Sequence, residues 1–148
     1  MMSRFLPWSA NYEVGHPELD AQHQGLVDLI NDIDSAVASP ENPRDIADLL
    51  TSLRAAAVEH IRSENAVLWE ISSGTYQPLR ERPRTPHFLK AMAEAAFDTH
   101  IAEHDALLAQ LDAIIEGPVD GLGEALKAWF VTHAIKHDSH LKTIFQAM

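Results

Sequence analysis

A chain of 148 residues has the length of one domain, residues 1–148, and can bury roughly 70% of its unfolded surface around a single core. Its 22 acidic residues against 11 basic ones give a formal charge of -11, which repels nucleic acid and anionic membrane surfaces and favours cations or neutral ligands. No cysteine is present, so disulfides, zinc–thiolate sites and iron–sulfur clusters are excluded, and any metal must be held by nitrogen and oxygen.

The first eight residues are too short and too broken by Arg4 and Pro7 to read as a secretory leader, and no apolar run approaches a membrane span. A cytoplasmic location is the expectation. Residues 1–18 mix Pro7, Gly15 and Pro17 with Phe5, Leu6, Trp8, Tyr12 and Val14, which predicts an extended N-terminal arm that packs along the body. Leu19 to Val37 carries Leu26, Leu29, Ile30 and Ile33 at helical spacing, with Asp20, Asp28, Asp32 and Asp34 placed to face water. This is the first helix, and it carries His23.

Ser39-Pro40-Glu41-Asn42-Pro43 is a stop and restart, with Asn42 a cap and Pro43 in the first turn. The second helix then runs to about Ser72, its inner face set by Ile46, Leu49, Leu50, Leu53, Ala57, Ile61, Leu68 and Ile71. His60 and Glu64 sit near its middle. Between 73 and 86, Gly74, Pro78, Pro83 and Pro86 alternate with Arg80, Arg82 and Arg84, a composition that cannot sustain a helix. A long exposed loop is expected there. The third helix restarts at Thr85-Pro86, carries Met92, Ala96, Phe97, His100, His104, Leu107 and Leu111, and ends at Gly117-Pro118. The fourth starts near Asp120 to Gly123 and passes through Leu126, Trp129, Phe130, His133, Ile135, Leu141, Ile144 and Phe145. No strand pattern competes, so the expected fold is all-α, an up-and-down four-helix bundle, an architecture whose core commonly hosts metals.

Nine histidines are present. One alone in a helix is usually a surface or hydrogen-bonded residue, but here they fall among apolar positions of all four helices with carboxylates one turn away. His100 and His104 are four apart, as are His60 and Glu64, and residues at that step share a face about 40° apart. Two metal ions that each prefer about six ligands offer roughly twelve positions. Five imidazoles and two bridging carboxylates would take about nine, and a solvent-derived oxo or hydroxo bridge about two more, leaving about one for a small ligand. On the fourth helix the partner of His133 is ambiguous: His137 is four residues on and nearly on the same face, whereas Asp138 is five on and about 140° round. Helical geometry favours His137.

The run from Val14 to Asn31 (V-G-H-P-E-L-D-A-Q-H-Q-G-L-V-D-L-I-N) resembles the start of bacterial hemerythrins. The pairs His60/Glu64 and His100/His104, and Trp129, His133 and Asp138 in W-x-x-x-H-x-x-x-x-D, resemble the remaining motifs of that family in the same order. The resemblance implies a ligand set of His23, His60, Glu64, His100, His104, His133 and Asp138. His100, His104 and His133 would hold one iron, His23 and His60 the other, and Glu64 and Asp138 would bridge them. It also selects Asp138 over His137, leaving His137 and His140 as outward or supporting residues.

Two iron ions with an oxo or hydroxo bridge are thus implied, and with them reversible dioxygen binding for storage, delivery or sensing. A physical reason favours binding over oxygenation: five neutral imidazoles stabilise oxidised iron less than the glutamate-rich sets of ferritin-like enzymes do. No catalytic residue is singled out. The alternatives are a di-iron oxidoreductase acting on peroxide, nitric oxide or ferrous iron, and a signalling module that passes its redox state to a protein partner. Leu26 and Trp129 are the candidate pocket walls, though ordinary core packing would explain them equally well. Ala134 stands where the family usually has isoleucine, and the smaller side chain is expected to open the pocket to solvent and shorten the life of the oxygen-bound form. The segment 73–86 reads as a tolerated surface insertion, or alternatively as a lid or a docking element, because its arginines form a positive patch on an acidic protein.

Overall fold

The computed structural model describes residues 5–38, 43–73, 75 and 87–146, apart from the side chains of 43, 44, 87–90, 137, 139 and 140. Four helical arms account for nearly all of it: α1, Pro17–Ala38; α2, Pro43–Ser73; α3, His87–Glu116; and a fourth arm in three parts. That arm consists of α4, Leu122–Val131, a π-helical turn at Thr132–His137, and α5, Ser139–Gln146. There is no strand among the described residues. Helix α1 packs on α2 and α4, and α3 packs on α2, α4 and α5, so the arms form a closed ring. The expected Asn42 cap, nearly all of the 73–86 loop and the side chains of His137 and His140 lie outside the described residues.

Each helix buries the stripe its sequence pattern marks. Leu26, Ile30 and Ile33 of α1, Leu53, Ala57, Leu68 and Ile71 of α2, Leu107 and Leu111 of α3, and Leu126 and Phe130 of α4 are all sealed from solvent. Burying a side chain of this size contributes about 1.5–3 kcal/mol. Pro43 opens α2, where its missing N–H costs nothing. Beyond Gly117-Pro118, Gly121 adopts a left-handed φ of +77° and starts α4.

The core is divided. One apolar cluster contains Leu26, Ile30, Leu53, Ala57, Ile61, Leu107, Leu111, Leu126, Trp129, Phe130 and Ala134. A second contains Val14, Leu19, Val67, Leu68, Ile71, Ala93, Ala96, Leu141 and Ile144. On every arm the residues between the two clusters are histidines and carboxylates: His23 between Leu19 and Leu26, His60 and Glu64 between Ala57 and Leu68, His100 and His104 between Ala96 and Leu107, His133 and Asp138 between Phe130 and Leu141. A polar layer therefore crosses the bundle with an apolar plug on either side.

The N-terminal arm packs along the bundle, and polar side chains of α1 fix it there. Asn31 accepts the Leu6 N–H at 2.7 Å and donates to the Leu6 carbonyl at 2.9 Å, which clamps the arm through its backbone. Trp8, Tyr12 and Phe130 stack edge to face at 5.6 and 5.2 Å between centroids. Asp20, which the sequence pattern turns to water, instead accepts the Val14 N–H at 2.7 Å and the Gly15 N–H at 3.3 Å. Gly15 has φ +93°, a conformation that L side chains rarely adopt.

Candidate metal centre

All seven side chains marked in the sequence as donors converge in the polar layer. His23, His60, Glu64, His100, His104, His133 and Asp138 are each at most 2% exposed. Their donor atoms fall into two groups: His23, His60, Glu64, His133 and Asp138 form one, Glu64, His100 and His104 the other, each with its atoms within 4.8 Å of one another. Glu64 belongs to both. Its Oε1 lies 2.6 Å from His60 Nε2, while its Oε2 lies 3.0 Å from His104 Nε2. Asp138 Oδ2 lies 2.9 Å from His23 Nε2 and 3.0 Å from His133 Nε2.

Asp138 reaches this layer because the fourth arm is not a regular α-helix. The Asp138 N–H bonds to the His133 carbonyl at 3.0 Å, an i to i+5 bond that closes a wider turn. Five residues then complete one turn, so Asp138 returns to the face of His133. The π-turn thus brings Asp138 to the layer at a spacing that a regular helix would not allow, and the extra residue is accommodated outward, where Ile135 is 48% exposed. Ile135 belongs to the apolar pattern of this arm, and the wider turn places it on the outside.

The imidazoles are held by partners that sequence reading passed over. His23 Nδ1 donates to the Tyr12 carbonyl at 2.6 Å, His60 Nδ1 to Gln22 Oε1 at 2.9 Å, and His104 Nδ1 to Asn65 Oδ1 at 2.9 Å. Gln22 in turn donates to Ser63 Oγ at 2.9 Å. A carbonyl oxygen accepts only from a protonated ring nitrogen, so these bonds put the hydrogen on Nδ1 and leave Nε2 as the donor facing the layer. The available signal was positional: Gln22 and Asn65 each adjoin a donor residue in sequence.

The charges in the layer are strongly coupled. Burial would lower the pKa of His60, yet the nearby Glu64 and Asp138 carboxylates raise it to about 8. His133 is raised well above its ordinary value against the same burial effect, by Asp138 and Glu64. Burial and the neighbouring Glu64 would raise Asp138, but His133 and His23 hold it at about 2. Glu64 is held well below the usual carboxylate range despite its burial, chiefly by His60 and His133. Burial lowers His100.

The donor set fits a pair of cations. Among the described residues, Asp138 Oδ1 and Oδ2, Glu64 Oε1 and His23 Nε2 are buried and make no well-aligned hydrogen bond, although several lie within 3.0 Å of a neighbouring donor atom. Buried polar atoms so close and so poorly satisfied are costly unless a shared cation compensates them. Five nitrogen ligands and two carboxylates suit first-row transition metals. Leu26 and Trp129, the candidate walls, are at most 5% exposed and belong to the apolar plug on one side of the layer, as does Ala134, which at 4% exposed is itself covered where an opening to solvent was expected. Trp129 Nε1 donates to the Leu107 carbonyl at 3.0 Å, so its ring also ties α4 to α3.

No helix among the described residues is long and apolar enough to cross a membrane. No curated protein matches the chain. Residues 14–145 match the family described as Hemerythrin HHE cation binding domain, a span that contains the four helical arms up to Phe145 and every donor of the polar layer. The chain therefore belongs to the hemerythrin HHE cation-binding family.

Proposed function

We propose that this chain is a non-haem di-iron protein that binds dioxygen reversibly, as a store, a carrier or a sensor. In this reading His100, His104 and His133 hold one iron, His23 and His60 hold the other, and Glu64 and Asp138 join the two. The supporting observation is the Glu64 carboxylate, which turns one oxygen to each of the two donor groups inside a buried layer. His133 stands in the group of His23 and His60, its ring 5.3 Å from that of His60 and 6.1 Å from that of His104; it is the family pattern that gives it to the ion of His100 and His104.

Ferrous iron in the layer would supply the electrons that hold dioxygen. The chain supplies the rest: imidazoles oriented through Tyr12, Gln22 and Asn65, carboxylates that neutralise the ions, and apolar plugs that keep water from the bound gas. With five neutral nitrogen donors and two carboxylates, the set supports binding over oxygenation. The test is optical. Protein reduced under argon and then exposed to air should develop a visible band that persists and disappears when oxygen is removed. Prompt oxidation with no persistent band would overturn the reading. Sustained consumption of peroxide, nitric oxide or ferrous iron would instead make the same donors those of a di-iron oxidoreductase.

A further inference from the structure

The wall between the polar layer and solvent is thin at one place. A cleft of about 220 Å³ opens between the N-terminal arm and the π-turn, with Glu13 and Val14 on one side, Ala134 and Lys142 on the other, and Asp138 at its floor. A neighbouring cleft of about 250 Å³ shares Glu13, Val14 and Lys142 and extends the same seam past Gly15 and Phe145. Asp138 is wholly buried and Ala134 is 4% exposed, so the seam stops one side chain short of the donors. Elsewhere, the apolar cluster to which Ala134 belongs covers the layer with the buried side chains of Leu26, Leu107, Trp129 and Phe130.

Two features keep this seam from closing. The π-turn bulges outward, and its inner residue is alanine, which puts only a methyl group into the cleft. The arm is pinned on either side of Glu13 and Val14, at the Tyr12 carbonyl by His23 and at the Val14 and Gly15 N–H groups by Asp20. It therefore cannot settle onto the bulge. Glu13 and Lys142 place opposite charges at the mouth, so the cleft presents no strong net field to a neutral solute.

We propose that this cleft is the passage by which ligands of a few atoms, diatomic gases or azide, reach the metal layer, and that residue 134 sets its bore. The proposal rests on the reading of the layer as a metal centre. Its signature is kinetic. A wider or narrower passage changes entry and exit by the same factor and leaves affinity alone, whereas a residue touching the bound ligand changes affinity.

The test is stopped-flow azide binding to the iron-loaded wild type, Ala134→Val and Ala134→Ile proteins. The association and dissociation rate constants should fall together through the series, by about tenfold or more for Ala134→Ile, with Kd unchanged. Rates equal to those of wild type, or a change in Kd carried by dissociation alone, would overturn the proposal. If the isoleucine does not fit and the protein unfolds, the valine variant carries the same comparison. A second readout needs no metal: in the metal-free protein under xenon pressure, the methyl resonances of Val14 and Ala134 should shift in wild type and stay fixed for Val14 in Ala134→Ile. No shift in wild type would also overturn it. A protein that takes up no iron would defeat the metal reading while the xenon result still reports on the cleft.

Discussion

At the scale of single residues, the layer depends on groups that never touch a metal. Gln22 and Asn65 fix the His60 and His104 rings through Nδ1, and removing such a partner typically costs 10–100-fold in metal affinity. Gln22→Leu and Asn65→Leu should weaken Co(II) binding by about that factor in a chelator competition, with unchanged helix content by circular dichroism. Affinity equal to that of wild type would show that the rings are held by packing alone. Charge coupling gives a second prediction, for the metal-free protein. His60 is raised from 6.5 to about 8, so its stabilising effect is complete below pH 6.5 and is lost as pH rises through 8. Asp138 is lowered from 3.8 to about 2, so its contribution is complete above pH 3.8 and is lost as pH falls towards 2. His133 and Glu64 act in the same directions, and His100, lowered by burial, opposes them in part. The metal-free melting temperature should therefore be highest between these limits and fall on raising the pH past 8. The metal-loaded protein should instead lose metal as the pH falls below about 6.5, because the imidazoles must be unprotonated to bind. A metal-free melting temperature that rises steadily to pH 9 would contradict the coupling described.

At the scale of elements, the π-turn decides whether the fourth arm can serve the layer. It absorbs one residue beyond a regular helix, so α4 and α5 keep their phase on either side of it, and Leu141 and Ile144 stay buried. Deleting Ile135 should restore a regular helix without rotating α5, and the bundle should fold with a melting temperature within a few degrees of wild type. Unfolding, or loss of the cooperative transition, would mean that the turn is not a one-residue insertion. Most of the architecture is legible in the amino-acid pattern, because helix ends and inner stripes follow from Pro, Gly and apolar spacing; the ends of α1 and α3 fall close to where those signals put them. The π-turn is not legible that way. It is a local departure from 3.6-residue spacing between His133 and Leu141, so spacing pointed to His137 and only the family motif pointed to Asp138. The Asn31 and Asp20 contacts to the arm were hidden for a similar reason, since bonds from a side chain to a distant backbone leave no periodic trace.

At the scale of the whole molecule, two apolar plugs close a charged layer, and each stabilises the bundle on its own side. Leu26→Ala on one side or Leu68→Ala on the other should each cost about 2–5 kcal/mol in denaturant unfolding of the metal-free protein, the usual cost of such a core truncation. A cost near zero at either site would mean that the plug is loosely packed there. Metal binding should then raise the melting temperature of both variants, because ions that bind the folded chain preferentially stabilise it by mass action. The central claim is that one layer of seven side chains holds a pair of ions joined through Glu64. Anaerobic ferrous titration of the metal-free protein tests it most directly. The account predicts a break close to two ions per chain in wild type and no tight paired uptake in Glu64→Ala; a break at a single ion, or Glu64→Ala binding a pair as tightly as wild type, would contradict it.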